Sequence, residues 1–504
     1  MSKLLFATLA AALCAACSSG EPAGPKPDLM LITVDTLRAD HLGPYRELYA
    51  GPEGPARVET PAIDEFAAAS LVFAEAYTAI PITTASLGTI LSGQLPRHHG
   101  DLNNAGDMSL DVRTVVMALK DAGYDTAAFL PTFLADKESF KRGFDVYDFP
   151  AIGQPIRPGT QVVKRATTWL SQREAAGTDT PTFVWVHLFD PHAPYDPGPE
   201  LERKHLGDLA GKIPSHLRDE VFLDPSKTYD KELPIVRGLY KGDVELTDAA
   251  LAPLFREILH RPATARERLT ILTADHGEHL AERESYIGHT GFLHDEMLRV
   301  PFIVHSSTGA VPARKVDYPA FTADVAGTMA EYAGVGGQWG YETGAKPLLL
   351  EDFLDNELAV PKEDRGQRLI VHETFAPEGF YDQRAVRLGD VKWIVGMAEE
   401  RPAGLFVRDG AEVRDLGNDP SAWDEETRGQ HAKIVAVHDS WLDEVGPVQR
   451  IDSTLTPEQQ AELEAMGYMG EGGHGHGHGA PKKPEQPSDE TPPDGDDAGP
   501  ESDG

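Results

Sequence analysis

Apolar residues in this chain fall into short unbroken runs, separated by longer segments with helical spacing. Asp28 to Val34 (DLMLITV), Thr182 to Leu188 (TFVWVHL) and Leu269 to Ala274 (LTILTA) are such runs, rich in β-branched side chains. They read as strands buried on both faces, the kind a parallel sheet uses. Val72 to Tyr77, Thr126 to Leu130 and Arg299 to Val304 predict further extended segments. A helix is predicted from Thr60-Pro61 through Ile63, Phe66 and Ala67, with proline in its first turn. Others are predicted from Thr83 to about Leu91 with Gly93 as the stop, from Thr114 to Gly123, and from Val162 to Leu170. Tyr240 to Leu259 carries Leu246, Ala250, Leu251, Leu254 and Ile258 on one face, and Thr322 to Ala333 is closed by Gly334. Strand and helix alternate through about residue 330, which argues an α/β layered domain around a mainly parallel sheet.

The texture changes near residue 365. Leu369 to Glu373, Gln383 to Leu388, Val391 to Val395 and Gly404 to Val407 read as short turn-separated strands of a small antiparallel sheet. Helices are expected beside it at Ile434 to Val445 and Pro457 to Met466. After Gly470 the chain is low in complexity, GGHGHGHGA and then Pro, Asp, Glu, Ser and Lys, too poor in apolar residues to order itself. His474, His476 and His478 suit weak transition-metal binding, and a passive spacer is an equal reading.

Charge narrows the function classes. The 504 residues hold 46 Lys+Arg against 81 Asp+Glu, a formal net charge of −35. Nine acids and two lysines follow Gly470, so the body itself carries −28. Phosphate backbones are bound by basic surface, which excludes nucleic acid as a partner. Both cysteines, Cys14 and Cys17, lie near the start, so the body has no disulfide, thiolate metal site or cysteine nucleophile. Lys3 precedes LLFATLAAALCAA, which is too short to span a bilayer. With Ala15, Ala16, Cys17, Ser18 and Ser19 it looks like a bacterial lipoprotein signal, in which Cys17 becomes the lipidated first residue. A plain cleaved secretory signal is the alternative. Either predicts export to the cell envelope, as an outer-membrane lipoprotein held to the membrane through Cys17 or as a periplasmic protein.

The chemistry gathers at strand ends. Asp35 follows the first apolar run, and Asp275-His276-Gly277-Glu278 follows LTILTA. His187, Asp190 and His192 surround the end of TFVWVHL, in a proline-stiffened loop, FDPHAPYDP. In open α/β sheets ligands bind beyond the carboxyl ends of the strands. Asp oxygen and His nitrogen are ordinary ligands of a divalent metal, while Asp275 alone reads equally as a helix cap. In Pro81 to Gly93, PITTASLGTILSG, the hydroxyls Thr83, Thr84 and Ser86 open a helix. A helix N-terminus is a ready anion site. Each hydroxyl there is either a cap or a nucleophile facing a tetrahedral anion.

LITVDTLRADHLG (31–43), TTASLGTILSGQLPRHHG (83–100), WVHLFDPHAPYDP (185–197), LTADHGEHL (272–280), GHTGFLHDEMLRVPFIV (288–304), AVRLGDVKWIV (385–395) and DLGNDP (415–420) together resemble the sulfatase branch of the alkaline-phosphatase superfamily. The resemblance covers about residues 26–470. It implies an α/β sandwich around a central, mainly parallel sheet, with a small C-terminal antiparallel α+β subdomain. The implied division is 1–17 signal, 18–27 tether, 28–335 catalytic domain, 336–470 C-terminal subdomain and 471–504 tail. It implies Asp35, Asp275 and His276, joined by Thr83, as ligands of one or two divalent ions (Ca, Mg, Mn or Zn). It further implies Thr83 as nucleophile, His192 as an active-site histidine, and His289 as the group contacting the anion or the leaving oxygen. The chain departs from the family pattern at Thr36, where a second Asp is common, and at Ala85 and Leu87, where sulfatases carry Pro and Arg. The Lys-Trp-His stretch expected after the 126–130 strand is replaced by Leu130-Pro131-Thr132. Family sulfatases oxidise a Cys or Ser at the nucleophile position to formylglycine, and Thr83 does not fit that maturation. Threonine there occurs in superfamily members that cleave phosphate or phosphonate esters. The expected activity is therefore metal-dependent hydrolysis of a phosphate or phosphonate ester, or of a sulfate ester, in a small anionic ester, glycan or lipid. The alternatives are a true sulfuric-ester hydrolase and a non-catalytic surface binding lipoprotein.

Overall fold

A computed structural model of the chain describes residues 25–46, 58–218, 221–222, 229–282, 286–336, 368–375, 382–396, 404–409, 412–451 and 455–465. The signal segment, most of the tether and the His-bearing tail lie outside the described residues.

The apolar runs form one eight-stranded sheet. Its order is Arg314–Phe321, Leu71–Tyr77, Phe302–Ser306, Arg268–Ala274, Asp28–Val34, Thr182–Leu188, Asp125–Phe129 and Val146–Asp148. Every neighbouring pair is parallel except the two made by Phe302–Ser306, which runs against both its partners. Asp28–Val34, Thr182–Leu188 and Arg268–Ala274 lie side by side and are buried along their whole length, as continuous apolar runs require. Helices Pro61–Ala68, Gly159–Ala175, Pro199–Leu206 and Glu232–Leu259 pack among themselves. Thr83–Ser92, Val115–Asp121 and Asp324–Tyr332 form a second mutually packed group, so the sheet is the middle layer of a sandwich. The fold is α/β, as the periodicity and the resemblance implied.

A second sheet of five antiparallel strands follows: Leu369–Thr374, Gln383–Leu388, Val391–Gly396, Gly404–Asp409 and Glu412–Asp415. Glu425–Val445 packs against it over a small core that includes Val386, Leu405, Trp423 and Ile434.

Several boundaries differ from the sequence expectation, each for a physical reason. The long helix starts at Glu232 rather than Tyr240. Gly238 hides its first turns from a propensity reading, yet it and Gly242 are both close approaches to neighbouring side chains. A Cβ at Gly238 would lie 2.4 Å from Leu206, and one at Gly242 2.6 Å from Pro197. The strand expected at Arg299 to Val304 is Phe302–Ser306, because Pro301 delays pairing and Arg299 makes only an isolated bridge to Tyr77. Helices expected at Thr322 to Ala333 and Ile434 to Val445 are Asp324–Tyr332 and Glu425–Val445. The second is extended at its polar start by the Asp424 cap on the Thr427 N–H (2.8 Å). Arg314–Phe321 was not expected. It is an edge strand with Pro319 beside a bulge, where a missing N–H is tolerated and no clean alternation survives.

Candidate active site

Strand register builds the site. Val34 is level with Leu188 on one side and Ala274 on the other, so three strands end together. Asp35 and Asp275 therefore leave the sheet side by side, and the Asp35 N–H is fixed by the Leu188 carbonyl at 2.9 Å. Gly277 allows the sharp exit. A Cβ there would lie 2.2 Å from the Glu296 carbonyl, and its N–H donates to Met297 at 2.8 Å. The helix Thr83–Ser92 is tied to the same edge by Ser86, whose hydroxyl donates to the Asp275 carbonyl at 2.6 Å.

Asp35, Asp275 and His276 converge, each offering one atom within 4.8 Å of the others, and all three are fully buried. His276 Nε2 is 3.5 Å from Asp275 Oδ2, 3.7 Å from Asp35 Oδ1 and 3.4 Å from Thr83 Oγ1. His276 Nδ1 bonds the Gly277 carbonyl at 3.0 Å, and a carbonyl only accepts, so Nδ1 carries the proton. In the neutral ring Nε2 then faces two carboxylates with a lone pair. Neither oxygen of Asp35, nor Oδ2 of Asp275, has a hydrogen-bond partner among the described residues.

Burial, with the Asp275 charge adding to it, raises the Asp35 carboxyl well above its ordinary value. Burial pushes Asp275 up to about 7, against hydrogen bonds from the His276 and Thr36 N–H groups. Burial and the neighbouring His289 hold His276 well below its usual range. Three carboxylate oxygens without donors among the described residues, and an imidazole lone pair, aimed at one point are stable only around a positive charge. The donor set, oxygens plus one neutral imidazole, fits a divalent cation. The helix-cap alternative for Asp275 is not what forms, since its carboxylate takes the N–H groups of Thr36 and His276 in a turn.

Thr83 is the first residue of its helix, fully buried, with Ile82 at the cap position and no side-chain cap bond. Thr83 is thus not the cap residue, and its hydroxyl faces His276. Thr84 points elsewhere, its hydroxyl on the Asn103 carbonyl (3.2 Å) and its N–H on Asn104 Oδ1 (2.9 Å). His289 lies between two rings, 4.4 Å from His276 and 4.9 Å from His192, so all six implied side chains meet. His187 and Asp190 do not join them. His187 bonds Thr33 Oγ1 at 2.9 Å, and Asp190 accepts the Gly159 N–H at 3.4 Å.

Thr36 adopts a positive φ of 50°, unusual for a β-branched residue, and its carbonyl accepts the Tyr240 hydroxyl at 2.7 Å. Leu87 turns into the main apolar core. Sequence reasoning missed Glu278, which is fully buried 3.5 Å from His289 Nδ1. Its signal was present in Asp275-His276-Gly277-Glu278, a charged residue directly behind a buried strand end.

A mainly parallel α/β sandwich with an acid–imidazole nest and a helix-borne hydroxyl at its strand ends defines a class of hydrolases that work on tetrahedral anionic esters. The chain belongs to the sulfatase family, whose model matches residues 27–335. An arylsulfatase of Clostridium perfringens is 22% identical over 354 residues, 58% of this chain and 70% of that protein. Among solved structures, one determined in complex with its substrate D-glucosamine-2-N,6-O-disulfate superposes with a TM-score of 0.65 at 16% identity, over 83% of this chain and 98% of that one. The phosphonate monoester hydrolase of Silicibacter pomeroyi superposes with a TM-score of 0.59 at 17% identity, over 83% and 95%. The chain is a sulfatase-family hydrolase with the fold common to these proteins.

Proposed function

We propose that the protein hydrolyses a phosphate or phosphonate ester, with a sulfate ester as the nearest alternative, using Thr83 as nucleophile. The observation that carries this is Thr83 Oγ1 lying 3.4 Å from His276 Nε2, beside both Asp35 oxygens and Asp275 Oδ2, which accept no hydrogen bond among the described residues. Asp35, Asp275, His276 and Thr83 would hold the divalent cation, whether calcium, magnesium, manganese or zinc. When bound, that cation lowers the pKa of the Thr83 hydroxyl and neutralises oxygens of the substrate.

The chain's own groups do the rest. The start of the Thr83–Ser92 helix directs its positive dipole end at the anion. Thr83 Oγ forms a bond to phosphorus or sulfur in line as the bond to the ester oxygen breaks on the opposite side, and the proton that the hydroxyl gives up ends on the leaving oxygen by way of His192 or His289. His192 Nδ1 is bonded to the Ala193 carbonyl at 2.5 Å, which orients its ring. Water then cleaves the Thr83 ester and restores the hydroxyl. A buried, closed setting keeps these interactions strong.

Solved relatives support an anionic ester as substrate. One was determined with a disulfated glucosamine, and others are named phosphonate monoester hydrolases. A threonine in place of an oxidisable Cys or Ser favours phosphorus over sulfur. Export and membrane attachment through Cys17 are supported by the sequence of residues 1–17, which lie outside the described residues. A non-catalytic binding role is the second reading, favoured by the apolar, buried Ala85 and Leu87.

The test assays the full chain with aryl phosphate, aryl phosphonate and aryl sulfate, together with its metal content. Thr83→Ala is expected to lower turnover by about a thousandfold or more while metal and fold persist. Turnover that survives Thr83→Ala removes the nucleophile. Bound metal without turnover of any ester favours the binding role.

A further inference from the structure

Tyr240 is fully buried on the long helix Glu232–Leu259, and its hydroxyl ends at the turn that follows the first strand. It donates to the Thr36 carbonyl at 2.7 Å and accepts the Arg38 N–H at 3.1 Å. A carbonyl cannot donate and an amide N–H cannot accept, so both directions are fixed. One hydroxyl thus spans the backbone on both sides of Leu37, directly behind Asp35. Its ring is held by two edge-on neighbours, His41 at 5.0 Å and Tyr195 at 5.9 Å between centroids. Tyr195 belongs to the loop that carries His192.

The turn needs holding. Thr36 has a φ of 50°, a region that a β-branched residue enters only at a cost. Its own hydroxyl does not offset that cost, because Oγ1 has no partner among the described residues. Partners from elsewhere in the chain therefore set the conformation. The Thr36 N–H donates to Asp275 Oδ1 at 3.2 Å, and the Arg38 guanidinium donates to the Glu278 carbonyl at 3.0 Å. These two bonds tie the Asp35 turn to the Asp275 turn, and Tyr240 fixes it from the helix side. Burial and like charge both oppose keeping two acids side by side, so the turn would relax without that hold.

We infer that Tyr240 is a positioning residue: its hydroxyl holds the Asp35 turn in the strained form that keeps Asp35 facing Asp275, and so sets the affinity of the site for its divalent cation. The inference rests on the reading of Asp35, Asp275 and His276 as the ligands of that cation. Tyr240 acts through the backbone and supplies no ligand atom. Groups that orient metal ligands from behind are worth about 10–100-fold in metal affinity.

The test loads the full chain in turn with calcium, magnesium, manganese and zinc, competes the ion away with graded EDTA, and measures the metal retained. The ion that wild type holds most tightly is then given to two variants. Tyr240→Phe removes the hydroxyl and keeps the ring. Tyr45→Phe is the control, because the Tyr45 hydroxyl also bridges a backbone N–H and a carbonyl, both of Phe302 (2.8 and 3.2 Å), on a strand that supplies no ligand. Tyr240→Phe is expected to hold the ion about 10–100-fold more weakly, and Tyr45→Phe within about threefold of wild type. Equal weakening in both variants, or none in Tyr240→Phe, overturns the inference. Hydrogen exchange of the wild type after metal removal decides the matter if Tyr240→Phe does not fold. The Thr36 and Arg38 amides are expected to be protected about a hundredfold or more before metal is returned. Free exchange there, with protection only after metal is added, makes the ion the holder of the turn and overturns the inference. Wild type that retains none of the four ions removes the cation site and the inference together. A retained ion with no turnover of any ester removes the proposed reaction and leaves Tyr240 in its role.

Discussion

His289 shows how much one side chain depends on its neighbours here. Its ring is held between His276 and His192, and Glu278 lies 3.5 Å from its Nδ1 with both groups fully buried. A carboxylate behind a working imidazole fixes its orientation and its tautomer. Glu278→Gln keeps the shape and removes the charge. Turnover is expected to fall about 10–100-fold with substrate KM within a few-fold, checked by steady-state kinetics beside an unchanged circular-dichroism spectrum. Asp35, Asp275 and His276 were legible because each closes a run of apolar residues, where a charged group has no packing role. Glu278 stands directly behind the same run, but its neighbour His289 lies across a loop, and nothing in the spacing tells which residues that loop brings back.

Elements borrow their ends from one another. The helix Pro61–Ala68 has no side-chain cap of its own at Thr60. Its free Ala62 and Ile63 N–H groups are taken by Asp248 at 3.1 and 2.7 Å, from the middle of Glu232–Leu259. Burial raises the Asp248 carboxyl to about 6 despite those bonds. Asp248→Ala is expected to cost about 1–2 kcal/mol by urea unfolding, the ordinary worth of an N-cap, although this one acts between helices. From sequence, Asp248 looks like a polar position on a helical face. Strand identity survived the same uncertainty, because an unbroken β-branched run has few other uses.

At the scale of the whole molecule, the two sheets are held together by buried charge. Asp295 bonds Arg387 at 2.6 Å and Lys392 at 2.5 Å, and lies 3.1 Å from Arg299 Nε. Those cations hold its carboxyl well below the usual range, while burial brings Lys392 down to about 8. Asp295→Asn removes the carboxylate that Arg299, Arg387 and Lys392 share. Stability should fall by about 3–5 kcal/mol in chemical unfolding, with the C-terminal sheet loosening first in hydrogen exchange.

Stability should also depend on pH through buried neutral histidines. Burial drives His99, His187 and His372 each down to about 3. The unfolded chain takes up protons below about 6.5 that the folded one refuses. Their contribution is therefore complete above that pH and is lost progressively as pH falls toward 3. Against a His372→Gln variant, wild type should lose stability between pH 6.5 and 4 by at most about 1.4 kcal/mol per pH unit, measured by thermal unfolding at each pH. A difference that does not vary with pH would place the proton elsewhere.

The sequence by itself determined the layers of this protein: which segments are strands, that most run parallel, that a small antiparallel sheet follows, and that acids and histidines stand at strand ends. Those features follow from local periodicity and from the rarity of charge beside buried runs. The tertiary structure alone decided that Val34, Leu188 and Ala274 end level, that Asp35 and Asp275 are left facing each other, and that the Thr83 hydroxyl turns to His276 rather than capping its helix. Register and packing between distant segments set such distances, and no spacing along a chain encodes them.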